Sequence, residues 1–223
     1  MFSKIGSNDL VALKQYLEGD TSNIKDYSKA IEYTYPVNPR IYNTNMEKLR
    51  QLNPDTTFSS LGMGSGVSSN SMMSTMMSTD VFFQMPEDTR LFEEQYDIKT
   101  GKWPTKYNEC VLVLTPQGNI HDLLLYTLGL RDYDELDKIV NEFLVGDKVQ
   151  EPEYTETFNY EELLGKTFKL VNSSDCYEYD AEYKIWRDKS ENTEYMKGIV
   201  EKGEDLKIVG VIQPKEGMTA AML

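Results

Sequence analysis

The sequence predicts an α+β fold of mixed α/β character, and three observations carry that expectation. Residues 109–114 (ECVLVL) and 206–212 (LKIVGVI) are short and apolar on both faces, as strands covered from both sides are. Residues 132–146 instead space their apolar side chains at helical intervals. Strand-like and helix-like stretches then interleave along the chain, which favours a sheet with helices packed on it. At 223 residues the chain is long enough to bury a sizeable core, and we read 1–223 as one domain with two lobes.

In chain order, Leu10, Leu13 and Leu17 predict a short helix with Asn8 or Asp9 as its N-cap. From Ile31 the period changes to two: Ile31, Tyr33, Tyr35 and Val37 share one face, opposite Glu32 and Thr34. That predicts a half-buried strand, which Pro36 and Pro39 end or confine to an edge. Asn53-Pro54-Asp55 marks a turn. Residues 59–79 (SSLGMGSGVSSNSMMSTMMST) are low-complexity Ser, Gly and Met, and are expected to form a long flexible loop. Residues 81–85 (VFFQM) read as a second strand, after which Pro86 opens a helix through Leu91 and Phe92 to Tyr96. The stretch around Val111 reads as a central strand.

Further along, Asp122 is placed to cap a helix that runs to Leu128 and stops at Gly129. Asp132 caps the next, with Glu135 at the capping-box position; Leu136, Ile139, Val140, Phe143 and Leu144 form its apolar stripe, and Gly146 ends it. Residues 131–160 therefore read as a helical insertion followed by an acidic linker at 147–157. A helical turn at 160–164 leads to a strand at 166–171. Tyr177, Tyr179, Ala181, Tyr183 and Ile185 alternate with mostly charged residues, giving one long exposed strand or two short ones turning near Asp180. A short helix at 193–200 and a second central strand near Val209, ended by Pro214, complete the chain.

Charge narrows the function. The chain holds 37 acidic and 23 basic residues, a net charge of −14, which disfavours nucleic acid and anionic lipid as partners. Its longest apolar runs fall short of the roughly 18 residues that span a bilayer, and Met1 is not followed by the basic and apolar regions of a signal peptide. Two cysteines, Cys110 and Cys176, make no disulfide framework and read as buried or half-buried thiols.

Motifs for catalysis or cofactors are correspondingly thin. His121, the one histidine, stands just before a helix cap and reads as an exposed or capping residue. Ser65 in Gly62-Met63-Gly64-Ser65-Gly66 has glycines adjacent rather than two residues away, so it is no nucleophile elbow. Gly165-Lys166-Thr167 ends like a phosphate-binding loop, but Tyr160 stands where that loop needs its first glycine, and a strand pattern follows Thr167. Glu178, Asp180, Glu182 and Asp188 read as the solvated face of an alternating strand rather than a calcium loop. Met72, Met73, Met76 and Met77 would share a helix face; soft apolar contact outweighs Cu(I) ligation there. We expect no catalytic residue, metal or cofactor.

The order of the parts carries a resemblance. A Gly101-Lys102-Trp103-Pro104 turn leads into Asn108, Glu109, Cys110, Val111 and Leu112. A helix closing on Leu128-Gly129-Leu130 follows, then LLGKTFKL from Leu163 and LKIVGVI from Leu206. With residues 33–42 (YTYPVNPRIY) upstream, this order resembles the extracellular region of ABC-transporter permeases of the MacB and FtsX type, in the long form of Gram-positive bacteria. The resemblance implies a porter-like lobe of βαβ-type units with a second small α/β lobe, on the extracellular side of the cell membrane. Its partners would be flanking transmembrane helices, an ATP-binding subunit or domain, and extracellular protein or peptide cargo. The implied role is non-catalytic: transmitting ATPase-driven motion, or contacting cargo, during export of lipoproteins, peptides or antibiotics. The competing expectation is a free-standing secreted or surface binding module.

Overall fold

The computed structural model describes residues 8–19, 23–34, 39–57, 80–146 and 158–218. The helices are α1 (Leu10–Glu18), α2 (Ile24–Tyr27), α3 (Asp122–Thr127), α4 (Tyr133–Val145) and α5 (Thr193–Lys202). The strands are β1 (Arg40–Tyr42), β2 (Gln51–Asn53), β3 (Tyr96–Gly101), β4 (Glu109–Val113), β5 (Thr167–Val171), β6 (Tyr177–Asp180), β7 (Ile185–Asp188) and β8 (Glu204–Pro214). Among the described residues, 3-10 turns at Thr89–Leu91, Tyr160–Leu163 and Ser173–Cys176 join them. The fold is α+β: a six-stranded sheet in the order β2-β1-β5-β8-β3, with β4 also on β8, and a separate β6–β7 hairpin.

Side-chain caps start α1, α4 and α5. The carboxylate of Asp9 accepts from the Ala12 amide at 2.9 Å, and Asn192 Oδ1 from the Tyr195 amide at 3.0 Å. Asp132 Oδ1 accepts from the Asp134 amide at 3.0 Å to open α4, and Gly146, at φ +81°, follows its last residue.

Strand β8 organises the sheet. It pairs antiparallel with β5 over Glu204 to Lys207 and with β3 over Gly210 to Pro214, and parallel with β4 over Lys207 to Ile212. Since Lys207 is paired with both β5 and β4, and Gly210 with both β3 and β4, β5 and β3 must lie on one edge of β8 and β4 on the other. The β4 register slips once: Cys110 faces Ile208 but Val111 faces Gly210, which leaves Val209 as the extra residue of a bulge.

The bulge switches the parity of β8. Leu206 and Ile208 before it, and Val211 after it, face one core cluster with Leu112, Leu114, Phe168, Ile41, Leu52, Leu128 and Leu163. Ile212 faces the opposite side, with Phe92, Tyr96, Trp103, Val111 and Val113. A third cluster, Tyr42, Val171, Cys176, Met196 and Val200, lies beneath α5. Both faces of the sheet are thus covered, and the uninterrupted apolar patterns of β4 and β8 follow from that.

The backbones of β3 and β8 approach closely. A Cβ on Gly210 would stand 2.3 Å from the Lys102 carbonyl oxygen, and one on Gly101, at φ +80°, 2.2 Å from that of Val209. The Lys102 amide donates to the Val209 oxygen at 3.0 Å, and Trp103 then packs on Phe92 with ring centroids 4.7 Å apart.

Several expectations are corrected. Residues 31–34 form no strand: Ile31 and Tyr33 are half-buried and Glu32 and Thr34 exposed, but side-chain bonds anchor the segment. The Glu32 carboxylate accepts the amides of Glu87 and Asp88, both at 3.0 Å. Residues 81–85 form no strand either, because their side chains serve two clusters. Phe82 meets Phe168 edge-on at 5.2 Å, whereas Met85 packs with Phe92 and Ile212. The helix expected from Pro86 to Tyr96 shrinks to the 3-10 turn at Thr89–Leu91, since Tyr96 is claimed by β3 and pairs with Pro214. Val111 lies in a strand covered on both faces but not central: β4 pairs only with β8 among the described residues. His121, not Asp122, is the N-cap of α3. Of the two readings for residues 177–185, two short strands is correct. The loop 59–79, the linker 147–157, residues 35–37 and the side chain of Phe143 lie outside the described residues.

Replacing Gly210 with Ala forces backbone against backbone, and is expected to destabilise the domain by about 1–3 kcal/mol. Gly198→Ala is the control: nothing lies within 4 Å of its added Cβ in α5, so helix propensity is expected to raise stability by up to about 1 kcal/mol. Urea unfolding of the two variants checks the pair; equal midpoints would refute the close approach.

Candidate functional site

One concavity among the described residues is an open cleft of about 770 Å³. Three separate segments line it: the loop between β1 and β2, the α3–α4 junction and the start of β5. Four basic side chains, Lys48, Arg50, Arg131 and Lys166, reach it, in a chain of net charge −14.

Arg50 is the centre of the wall. Its guanidinium makes two parallel bonds to Asp137 on α4, both 2.8 Å, and a third to Thr57 Oγ1 at 3.2 Å. Its face lies over the Tyr133 ring, 4.2 Å from the centroid. Burial works against the charged form of Arg50, but the bonds to Asp137 outweigh it and the pKa is raised. Burial likewise raises the Tyr133 phenol.

Lys48 bridges Asp132, at 3.0 Å, and Asp134 at the N-terminus of α4. The bond to Asp134, then that to Asp132, raises the Lys48 pKa. The Asp132 carboxyl is held below its ordinary range, first by the Asp134 amide and then by Lys48. Lys166 Nζ donates to the Leu128 carbonyl at 3.0 Å, and Arg131 lies 5.9 Å from the Tyr126 ring centroid. These cations therefore hold the cleft's own walls together. The Thr127 hydroxyl is shared between the Leu123 carbonyl, 3.2 Å away, and the Tyr133 hydroxyl at 3.3 Å. Such an arrangement fixes the shape of the cleft.

The residues singled out from sequence scatter. Gly165-Lys166-Thr167 lines the cleft, yet Gly165 takes φ +84° and Thr167 opens β5 instead of a helix. His121 is exposed, and its Nδ1 accepts from the Leu123 amide at 3.4 Å. Glu178, Asp180, Glu182 and Asp188 sit on the β6–β7 hairpin and its turn, away from that lining. Asp180 bonds Arg187 at 2.7 Å, and Glu178 bonds Lys189 at 2.8 Å. Ser65 and Met72, Met73, Met76 and Met77 lie outside the described residues. Both cysteines are free: Cys176 is fully buried, and Cys110 packs half-buried against the first core cluster. Desolvation pushes the Cys110 thiol up to about 12.

Sequence reasoning missed Lys48, Arg50 and Arg131. The cleft joins three segments far apart in the chain, about residues 48, 130 and 166, and no spacing within one segment marks it. No group of three or more His, Cys, Asp or Glu able to hold a metal occurs among the described residues. No helix among them is long and apolar enough to cross a membrane. No family model matches the chain, and neither a curated protein nor a solved structure matches it.

Two outcomes are expected. Arg50→Lys loses the forked bond and the stack on Tyr133, and is expected to cost about 1–2 kcal/mol in thermal or urea unfolding. An unchanged midpoint would show that the pair does not hold α4. Native Cys110 is expected to resist thiol-modifying reagents at pH 8 and to react on unfolding. Because its folded pKa lies above the ordinary 9.0, its contribution to stability is full below pH 9 and is lost as pH rises toward about 12. Rapid modification of the folded chain would contradict the burial of this thiol.

Proposed function

We propose that the chain is a non-catalytic extracellular domain of an ABC-transporter permease of the MacB and FtsX type, set between membrane segments. One observation carries the reading beyond the motif order: the stretch at residues 23–34 and the end of β8 are held at a single turn. Lys29 Nζ bonds Glu94 at 2.6 Å, and Arg90 donates to the Lys29 carbonyl at 2.9 Å. At the other end, the Lys215 amide donates to the Gln95 carbonyl at 2.8 Å and its Nζ to that of Glu93 at 3.0 Å. A domain inserted between two membrane helices has to enter and leave on one side.

The sheet supports the same reading. Strands β4 and β8 run parallel with α3 and α4 between them in sequence, and we read this as the porter-like lobe, carrying a second small lobe. In this role the domain passes on the motion of transmembrane helices driven by an ATPase elsewhere, or contacts cargo. Lys166 supports a passive part: its ammonium is engaged by the Leu128 carbonyl.

The full-length product is expected to fractionate with membranes and to carry apolar segments of roughly 18 or more residues on both sides of the domain. External protease should release the domain from intact cells. Recovery of the full-length product from medium or cytosol would sink the proposal. Mg-ATP is expected to leave the melting midpoint of the domain unmoved, whereas a ligand at a hundred times its Kd adds about 2.7 kcal/mol. A saturable upward shift removed by Lys166→Ala would mean that the Gly165-Lys166-Thr167 segment binds phosphate after all.

A further inference from the structure

The β6–β7 hairpin pairs Tyr177 with Asp188, Glu178 with Arg187, Tyr179 with Trp186 and Asp180 with Ile185. Directly opposed residues share a face, so Tyr177, Tyr179 and Trp186 stand together on one side. No third strand joins this two-stranded sheet among the described residues. Trp186 is 67% exposed and Tyr179 49%, while their rings pack against each other with centroids 5.2 Å apart. Tyr183, on the turn, is 62% exposed. Two strands alone are marginal in water, and so much aromatic surface exposed on a short projection marks a contact surface.

The hairpin is nevertheless fixed at its base. Cys176, immediately before β6, is completely buried, and its carbonyl accepts from the Lys189 amide just after β7 at 2.8 Å. Arg40 of β1 donates to Ser190 Oγ at 3.0 Å, and the Tyr195 hydroxyl of α5 to the Asp175 carbonyl at 3.1 Å. At the tip, Asp180 Oδ1 accepts the amides of Glu182 and Tyr183, at 3.0 and 3.1 Å. The aromatic platform is therefore held in shape before anything binds it.

Charge selects the occupant. Two of the hairpin's cations are engaged internally, Arg187 by Asp180 and Lys189 by Glu178. Glu182 and Lys184 on the turn, and Glu191 and Glu194 after β7, have no ion-pair partner among the described residues, so unpaired acids outnumber the one unpaired cation here. The surroundings of the platform share the sign of the whole chain, at −14. Exposed indole and phenol faces on a segment with an excess of uncompensated carboxylates attract ammonium and guanidinium groups, and repel anions.

We propose that the Tyr177, Tyr179 and Trp186 face of the β6–β7 hairpin is a docking site for a Lys- and Arg-bearing peptide segment of a partner protein. It rests on the hairpin alone and stands apart from the permease reading. The test titrates the domain with a Lys/Arg-rich synthetic peptide, and with Glu-rich and Ser/Gly-rich peptides of equal length, following tryptophan fluorescence and amide NMR shifts. Saturable binding of the cationic peptide alone is expected, with shifts confined to residues around 177–194 and affinity falling as salt is raised. Trp186→Ala is expected to weaken it at least about tenfold, the size of a desolvated cation–π contact, and Glu182→Lys with Glu191→Lys to weaken it severalfold without altering the melting midpoint. Absence of saturable binding, equal binding of the Ser/Gly peptide, or indifference to both variants would each overturn the proposal. So would concentration-dependent dimerisation abolished by Trp186→Ala, since the occupant would then be a second copy of the chain.

Discussion

The domain depends on one strand being paired along both edges. Strand β8 is the only neighbour of β4 and β3 among the described strands, and it joins them to the β5–β1–β2 side of the sheet. Its eleven residues must satisfy two antiparallel partners in succession on one edge while keeping register with a parallel partner on the other. A uniform strand would keep one set of side chains on each face along its whole length. The extra residue at Val209 changes that set midway, so Val211 joins the cluster beneath Leu112 and Leu114 while Ile212 is delivered to the opposite one. The bulge thus lets one strand supply two cores. The requirement for glycine at position 210 follows from it, because β3 reaches its closest approach to β8 where the parity changes.

Much of this was legible in the sequence, and the reasons for the rest are physical. The apolar-on-both-faces stretches around Val111 and Val209 announced covered strands, and capping residues at Asp9 and Asp132 announced helices that form. Position within the sheet was not legible: Val111 and Val209 carry the same kind of pattern, yet one belongs to an edge strand and the other to the centre. Burial on both faces determines apolar patterning, whereas edge or centre is decided by which backbones supply hydrogen bonds. The segments read as strands at 31–34 and 81–85 show the converse. Their side chains are arranged for contact, but Glu32, Phe82 and Met85 anchor them to loops and opposite faces, so no ladder forms. The cleft was the least legible feature, since Lys48, Arg50, Arg131 and Lys166 come from three distant segments.

Charge is distributed with a consistent logic. Basic side chains are the minority, and many are spent on internal structure. Arg50 holds α4, Lys169 bonds Asp205 across the β5–β8 pair, Lys102 bonds Glu109, and Arg187 and Lys189 stiffen the hairpin. What faces outward is a residual negative field. Exposed ion pairs of this kind contribute little each to stability. Their larger effect is on specificity, because a surface whose cations are already engaged discriminates against anionic partners.

The turn at residues 88–95 has a mechanical consequence. Tension between Lys29 and Lys215 runs through Arg90 and Glu94, along a few residues, and out through Glu93 and Gln95. That path is a short bracket outside the central sheet contacts. Failure would begin at the bracket, where Lys215 peels from Glu93 and Gln95, and would have to reach the Val209 bulge before the first core opened.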